Sequence, residues 1–196
     1  MNDPRPRRGS PAQTRQRLVA AAAEIFNHEG YAGTDSNRLA RAAGYAPGTF
    51  YKHFAGKREI FLAVYADWVA REWEQVSATL AGGGSAGEQA ERIVDIFLSY
   101  HRRWRVFRAS LRALVTMDAA IRDQQREQRR LQLQWLEQLR RTAGAPPSSR
   151  EEDALLLLTM ERVADAVADG EVGALKLRMA ELRALLVAMV RRRLGS

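Results

Sequence analysis

Apolar residues in this chain recur with the 3.6-residue period of a helix almost from end to end, and nowhere alternate with the period of two that a half-buried strand requires. Between Thr14 and Glu29, Leu18, Ala21, Ala22, Ile25 and Phe26 fall at i, i+3, i+4, i+7 and i+8, one stripe on one helix face. Gly30 supplies a stop. Thr34, Asp35 and Ser36 offer N-caps for a short second helix with Leu39, Ala40 and Ala43 turned inward, and Gly44 breaks it. Pro47 opens a third short helix, in the first turn, where its missing N–H is not needed. A long fourth helix is predicted over 57–80, with Ile60, Phe61, Val64, Tyr65 and Trp68 on one side. AGGGSAG (81–87) reads as a flexible connector. Helical patterns then cover 88–104, 105–117, 119–142, 149–168 and 173–193, with AGAPPSS (143–149) as a second break. The fold class is therefore all-α. Three sections are expected: a flexible basic arm over 1–13, a helix-turn-helix domain over 14–56, and a helical domain over 57–196 that begins with the connecting helix.

The 196 residues suffice for a real core, and 46% apolar with 28% charged residues is a folded, globular composition. Cysteine is absent, which removes disulfides, zinc–thiolate sites and thiol nucleophiles together. MNDPRPRRGSPAQ has no apolar h-region and no stretch is apolar enough to span a bilayer, so a cytoplasmic protein with no membrane partner is expected. His28, His53 and His101 lie in different predicted helices, no P-loop or dinucleotide motif occurs, and the glycines of 82–84 follow no strand. No enzyme activity, cofactor or metal site is expected. The net charge of +8 favours a polyanionic partner, and residues 1–60 hold 10 Lys and Arg against 5 Asp and Glu.

That charge meets the helix-turn-helix pattern in GTFYKHFAGK (48–57). Two short helices joined by a glycine-containing turn must pack one face of the second helix inward and offer the other to the major groove. Phe50 and Phe54, four apart, make the inward face. Thr49, Lys52 and His53 make the outward one, with Tyr45 beside them in the turn. Gly48 removes side-chain bulk where the helix N-terminus approaches a phosphate, and Lys57 adds charge at the start of the fourth helix. Tyr51 packs its ring while its hydroxyl reaches out. His53 reads either as a DNA contact or as a cation ending its helix favourably. Arg5, Arg7 and Arg8 read either as an idle tail or as an arm toward the minor groove or backbone.

From Arg15 to Tyr65 the order of residues resembles the DNA-binding domain of the tetracycline-repressor (TetR) family of bacterial transcription regulators. The resemblance is carried by AAAEIF in the first helix, GY followed by T, LARAAG, GTFYKHF, and K before REIF. It implies phosphate contacts from Thr34, Ser36, Tyr45, Thr49, Tyr51, His53 and Lys57. It implies base contacts from Tyr45, Ala46, Pro47, Thr49 and Lys52, with Arg38 as a further reader from the second helix. One departure is Ala46, where the family commonly carries a small hydroxyl residue as a cap; alanine offers at best a thymine methyl contact, so specificity leans on Tyr45, Thr49 and Lys52.

The last two helices carry apolar faces wider than one core-facing stripe, from Leu155 to Leu158 and from Leu175 to Val190. Such excess suggests a second partner, and the resemblance implies a homodimer formed there, through Leu155, Leu158, Val163, Val167, Leu182, Leu185, Leu186 and Met189. A two-fold dimer reads an approximately palindromic operator in double-stranded DNA. The resemblance also implies a small-molecule pocket among the middle helices, for which Trp68, Phe97, Tyr100, Trp104, Phe107, Met117, Trp135 and Met160 are candidates. Arg108 and Arg112, four apart, read as facing the interior, where a buried arginine needs an anionic or carbonyl partner, which suggests an acidic or polar-headed ligand. The expected function is a repressor released from its operator by a small molecule. The alternative is a ligand-independent DNA-binding or architectural protein with a filled core.

Overall fold

The computed structural model describes residues 10–142 and 144–195, and among them every regular element is a helix. The expected arm of 1–13 lies outside the described residues as far as Arg5, Arg7 and Arg8 are concerned, whereas 11–13 already belong to a helix. That helix, α1 (Pro11–Glu29), starts three residues before the expected Thr14 because Ser10 and Gln13 form a reciprocal capping box ahead of Pro11. There follow α2 (Ser36–Ala42), α3 (Pro47–Tyr51), α4 (Lys57–Ala81), α5 (Ala86–Arg103), α6 (Arg105–Met117), α7 (Ala119–Thr142), α8 (Arg150–Ala168), α9 (Glu171–Ala174) and α10 (Met179–Leu194). Ser85 and Ser149 cap α5 and α8 with the same box, pairing with Glu88 and Glu152. The first of these shortens the expected connector to the glycines of 82–84. The final predicted helix is divided into α9 and α10, because Lys176 adopts a left-handed φ of 56° that a helix does not tolerate. No helix among the described residues is long and apolar enough to cross a membrane.

The chain forms two compact units, divided after Asp67. In the first, α1 packs on α2 and α2 on α3. Phe26 meets Phe61 edge-on at 5.1 Å between ring centroids and stacks on Tyr31 at 5.9 Å. Leu18, Ala22, Leu39, Phe50, Phe54 and Ile60 complete a core closed to solvent. The second unit is a helical layer in which α5 lies against both α8 and α10, while α6 and α7 pack together. Helix α4 contributes its first residues to one unit and its remainder to the other.

The turn between α2 and α3 is a Schellman motif. The Tyr45 N–H donates to the Ala40 carbonyl at 2.9 Å and the Gly44 N–H to the Arg41 carbonyl at 3.0 Å. Gly44 has a φ of 79°, the left-handed conformation that a side chain disfavours. Helix α3 spans only five residues and ends at Tyr51, yet Lys52 keeps right-handed helical angles and the N–H groups of His53 and Phe54 both donate to the Phe50 carbonyl. The helical spiral therefore continues to Phe54. Phe50→Ala opens a cavity in this core and is expected to destabilise the first unit by about 3–5 kcal/mol, read from denaturant midpoints. A loss below about 1 kcal/mol contradicts its role as the anchor of α3.

Candidate nucleic-acid interface

The surface built on α2, the turn and α3 separates the sequence candidates into three groups. Phe50 and Phe54 lie fully inside, their rings 5.7 Å apart, with the Arg15 guanidinium 4.9 Å over the Phe54 ring. Ala46, Gly48, Tyr51 and Lys52 are exposed, and Tyr45, Pro47, Thr49 and His53 are half-buried beside them. Tyr51 meets Phe50 edge-on at 5.4 Å, so the ring has an internal contact while most of the side chain faces water. Beyond its chain neighbours and its own helix backbone, no described residue lies within 4 Å of where a Gly48 Cβ would stand, so glycine there leaves the approach open from outside rather than relieving a contact within. Ala46 provides no side-chain cap for α3, and Pro47 at the first position sets the helical φ.

The third group works inside the protein. Lys57 Nζ donates to the carbonyls of Tyr31 and Thr34, both at 2.9 Å, and sits 4.2 Å over the Tyr31 ring. Two of its three donors thus hold the loop between α1 and α2. Arg38 forms a two-pronged pair with Glu29 and donates to the Gly33 carbonyl at 3.1 Å, which ties α2 to the end of α1. The Arg38 side chain is about half exposed in this pair, so contact with a base would mean exchanging Glu29 for it. Thr34 is buried, with its carbonyl accepting from Lys57 and its hydroxyl donating to the Asp35 carbonyl at 3.5 Å. Ser36 is half-buried at the start of α2, where Asp35 accepts the Arg38 N–H at 2.9 Å as the cap.

In the helical unit the expected ligand residues do not converge on one cavity. Phe97 and Met160 line a cavity bordered by α4, α5, α7, α8 and α10, together with Trp73 and Leu157. Trp68 and Phe107 are packed core instead; the Tyr100 ring stacks on Trp68 at 5.3 Å and, with Trp104, borders a second hollow beside Arg71, Glu74 and Arg103. Trp104 is half-buried against Phe107. Met117 is 75% exposed at the end of α6, and Trp135 tilts over Trp73 at 5.9 Å from the outer side. The two arginines expected in the interior are corrected most sharply: only Arg108 is buried, and the protein supplies the anions of both. Arg108 Nε and Nη2 donate to the two Asp165 oxygens at 3.1 and 2.9 Å, and Arg112 reaches Asp165 and Asp169. Neither awaits an acidic ligand.

Asp165 belongs to a buried cluster that sequence reasoning missed. Burial alone would raise its pKa, but the His101 Nδ1–H at 2.8 Å and Arg108 overcome that and hold it well below the carboxylate range. Burial pushes the His101 pKa down, so a neutral ring donates its Nδ1 proton to the ionised Asp165. Across the ring, His101 Nε2 faces Glu72 Oε1 at 3.6 Å, too far for a hydrogen bond. Glu72 is 0% exposed, and neither of its oxygens has a hydrogen-bond partner among the described residues. The available signal was Glu161 and Asp165, four apart on a leucine-rich helix, opposite an arginine already read as interior. Among the described residues no three His, Cys, Asp or Glu side chains converge as a metal site requires.

The expected dimer residues also divide. Leu155, Leu158 and Leu185 are exposed, and Val163, Val167, Leu182 and Met189 are half-buried. Leu186 is corrected to core: it is 2% exposed within its own chain, whereas its neighbour Leu185 is 64% exposed.

Residues 18–64 match the family of bacterial regulatory proteins known as the tetR family. The same region is similar to the HTH-type transcriptional repressor AcnR of Corynebacterium efficiens, with 36% identity over 67 residues, 34% of this chain and 36% of that protein. The chain thus aligns with only about a third of that relative's length. Over nearly the whole chain the fold is similar to a transcriptional regulator from Rhodococcus sp. Rha1, with a TM-score of 0.68, 22% identity, and coverage of 95% of this chain and 96% of that one. It is also similar to the transcriptional regulator FadR of Bacillus subtilis, solved in complex with stearoyl-CoA, with a TM-score of 0.63, 16% identity, and coverage of 89% and 96%.

The buried cluster makes stability depend on pH. Burial first, then Glu161 and Asp165 nearby, raises the Glu72 pKa well above its ordinary 4.5, against the weaker pull of Arg108 and Arg129. Folded Glu72 therefore holds its proton more tightly than the unfolded chain does. Its contribution is fully present below 4.5 and is lost as pH rises through the folded value. Asp165 acts in the opposite sense, contributing stability above its ordinary 3.8 that disappears on acidification. As pH rises above about 5 toward the folded value, Glu72 should lower stability progressively, and Glu72→Gln should flatten that slope. Denaturant midpoints across the range read it, and an unchanged slope in Glu72→Gln contradicts a neutral buried carboxyl.

Proposed function

From the membership of this chain's N-terminal domain in the tetR family of bacterial regulatory proteins, we propose that the protein is a transcription repressor. It binds an approximately palindromic operator as a homodimer and leaves it when a small molecule occupies the helical domain, 57–196. The observation that carries the DNA-binding part is the division of α3 and its turn into a locked face, Phe50 and Phe54, and an open face. On the open face Tyr45, Thr49 and Lys52 are the base readers, with Ala46 and Pro47 beside them. Tyr51, His53, Ser36 and the Gly48 backbone are the phosphate contacts, joined by the third donor of Lys57. The first unit positions this face through its own core, the hydrogen bonds of the turn, and the Lys57 and Arg38 clamps.

Exposed Leu155, Leu158 and Leu185 support a homodimer through α8 and α10, with half-buried Val163, Val167, Leu182 and Met189 around them. Helix α4 supports the coupling: it leaves the unit that carries the recognition face and enters the unit that holds the cavity, so a shift of its second half changes where its first half stands. That cavity favours the ligand-responsive reading over an architectural protein with a filled core. The name of AcnR as a repressor and the stearoyl-CoA bound by FadR support the same reading, each as a property of that protein.

Two substitutions test the assignment of the open face. Lys52→Ala should relax preference at one position in each half-site, costing about 1–3 kcal/mol there and little on other duplexes. Lys57→Ala should weaken binding to all sequences alike and lower the salt slope by about one unit, while also lowering the melting temperature because two carbonyl bonds are lost. Anisotropy titrations at several salt concentrations, paired with thermal melts, separate the two. Equal weakening on every duplex by Lys52→Ala contradicts its role in base recognition.

A further inference from the structure

The cavity of the helical unit has a volume of about 80 Å³ and a graded wall. Trp73, Phe97, Leu157 and Met160 line its buried end, and Leu139 and Leu194 its half-buried end. Three charged side chains touch it: Arg140, Asp153 and Arg193. All three are already paired. Arg140 Nη1 donates to both Asp153 oxygens at 2.7 and 2.6 Å. Arg193 Nη1 donates to Ser148 Oγ at 2.7 Å and pairs with Glu152 at 3.0 Å. The Ser149 backbone N–H, then Arg193 and Ser148, holds the Glu152 carboxyl down to about 2, so this partner stays ionised at neutral pH.

A charged group entering such a space gives up its hydration and meets mostly aliphatic and aromatic carbon, with Arg140, Asp153 and Arg193 already paired. To find a counter-ion it must separate one of these pairs and leave the other partner alone in partly buried surroundings. An alkyl chain loses nothing and removes apolar surface from water. The volume is about half that of an apolar cavity of about 150 Å³ that takes benzene, so it seats the end of a chain or a small ring, with the remainder along the half-buried end.

We infer that this cavity takes a neutral, largely hydrocarbon ligand, and that it discriminates against the anionic and cationic homologues of the same chain. The inference rests on the reading of the helical unit as ligand-responsive, and of the expected acidic or polar-headed ligand it sets aside the acidic one. Its geometry is independent of Arg108 and Arg112, whose anions are Asp165 and Asp169.

The test uses the full chain at neutral pH with three probes of equal length: n-octanol, octanoate and n-octylammonium. Thermal shift and calorimetric titration should show n-octanol binding at least about tenfold more tightly than either charged probe, a difference of about 1.4 kcal/mol. Leu157→Trp, which fills the buried end, should abolish the n-octanol shift. Should that variant fail to fold, a terminally brominated octanol should quench tryptophan fluorescence, and Trp73→Phe should remove most of the quenching. Octanoate or octylammonium binding as tightly as n-octanol overturns the inference, and so does failure of all three probes to bind. Binding of n-octanol that leaves DNA affinity unchanged upholds the ligand class while contradicting release from the operator.

Discussion

A helix of five residues has no stability of its own, since nucleation fixes several residues before hydrogen bonds repay the lost entropy. Helix α3 exists because Phe50 and Phe54 are buried behind it and because the Schellman turn at Gly44 sets its direction. Everything proposed for DNA follows from that constraint. Side chains on the far side of so short a helix are presented by the core of the first unit, not by the helix itself. Lys57 and Arg38 extend the same logic outward. Their charges, which a linear reading sends to DNA, hold the loop and the helix ends that position the reading face.

The helical unit rests on a different kind of interaction. Arg108 and His101 converge on Asp165 in the interior, Arg108 lies 5.0 Å over the Trp68 ring, and Glu161 meets both Arg108 and Arg129. Breaking such a network strands a charge, at a cost of about 3–5 kcal/mol, so it specifies how α5, α6 and α8 fit together more than it adds net stability. Glu72 brings α4 into the same cluster without a hydrogen bond of its own. The helix proposed to link ligand and DNA is seated here by the buried Glu72, by the Tyr100 hydroxyl donating to the Trp68 carbonyl at 3.3 Å and by the Arg108 guanidinium over the Trp68 ring.

The helices and the inward pair Phe50 and Phe54 were legible in the sequence because both are local: a period, a cap and a spacing suffice. The capping serines at 85 and 149 sharpened boundaries that periodicity alone left loose. What the sequence did not disclose was long-range pairing. Arg112 finds Asp169 and Arg38 finds Glu29 only after folding, and no spacing rule predicts which of many acidic residues a given arginine meets. The same holds for Leu185 and Leu186. Adjacent on one apolar helix, they point in directions that only the packed unit distinguishes.

The central claim is sequence-specific binding by a two-fold pair of α3 surfaces, and selection of duplexes from a random pool by the purified full chain tests it most directly. The account predicts enrichment of two inverted half-sites whose centres lie about one helical turn, roughly 34–36 Å, or a multiple of that, apart. Enrichment of a single unrepeated half-site, or no enrichment over the starting pool, would contradict it.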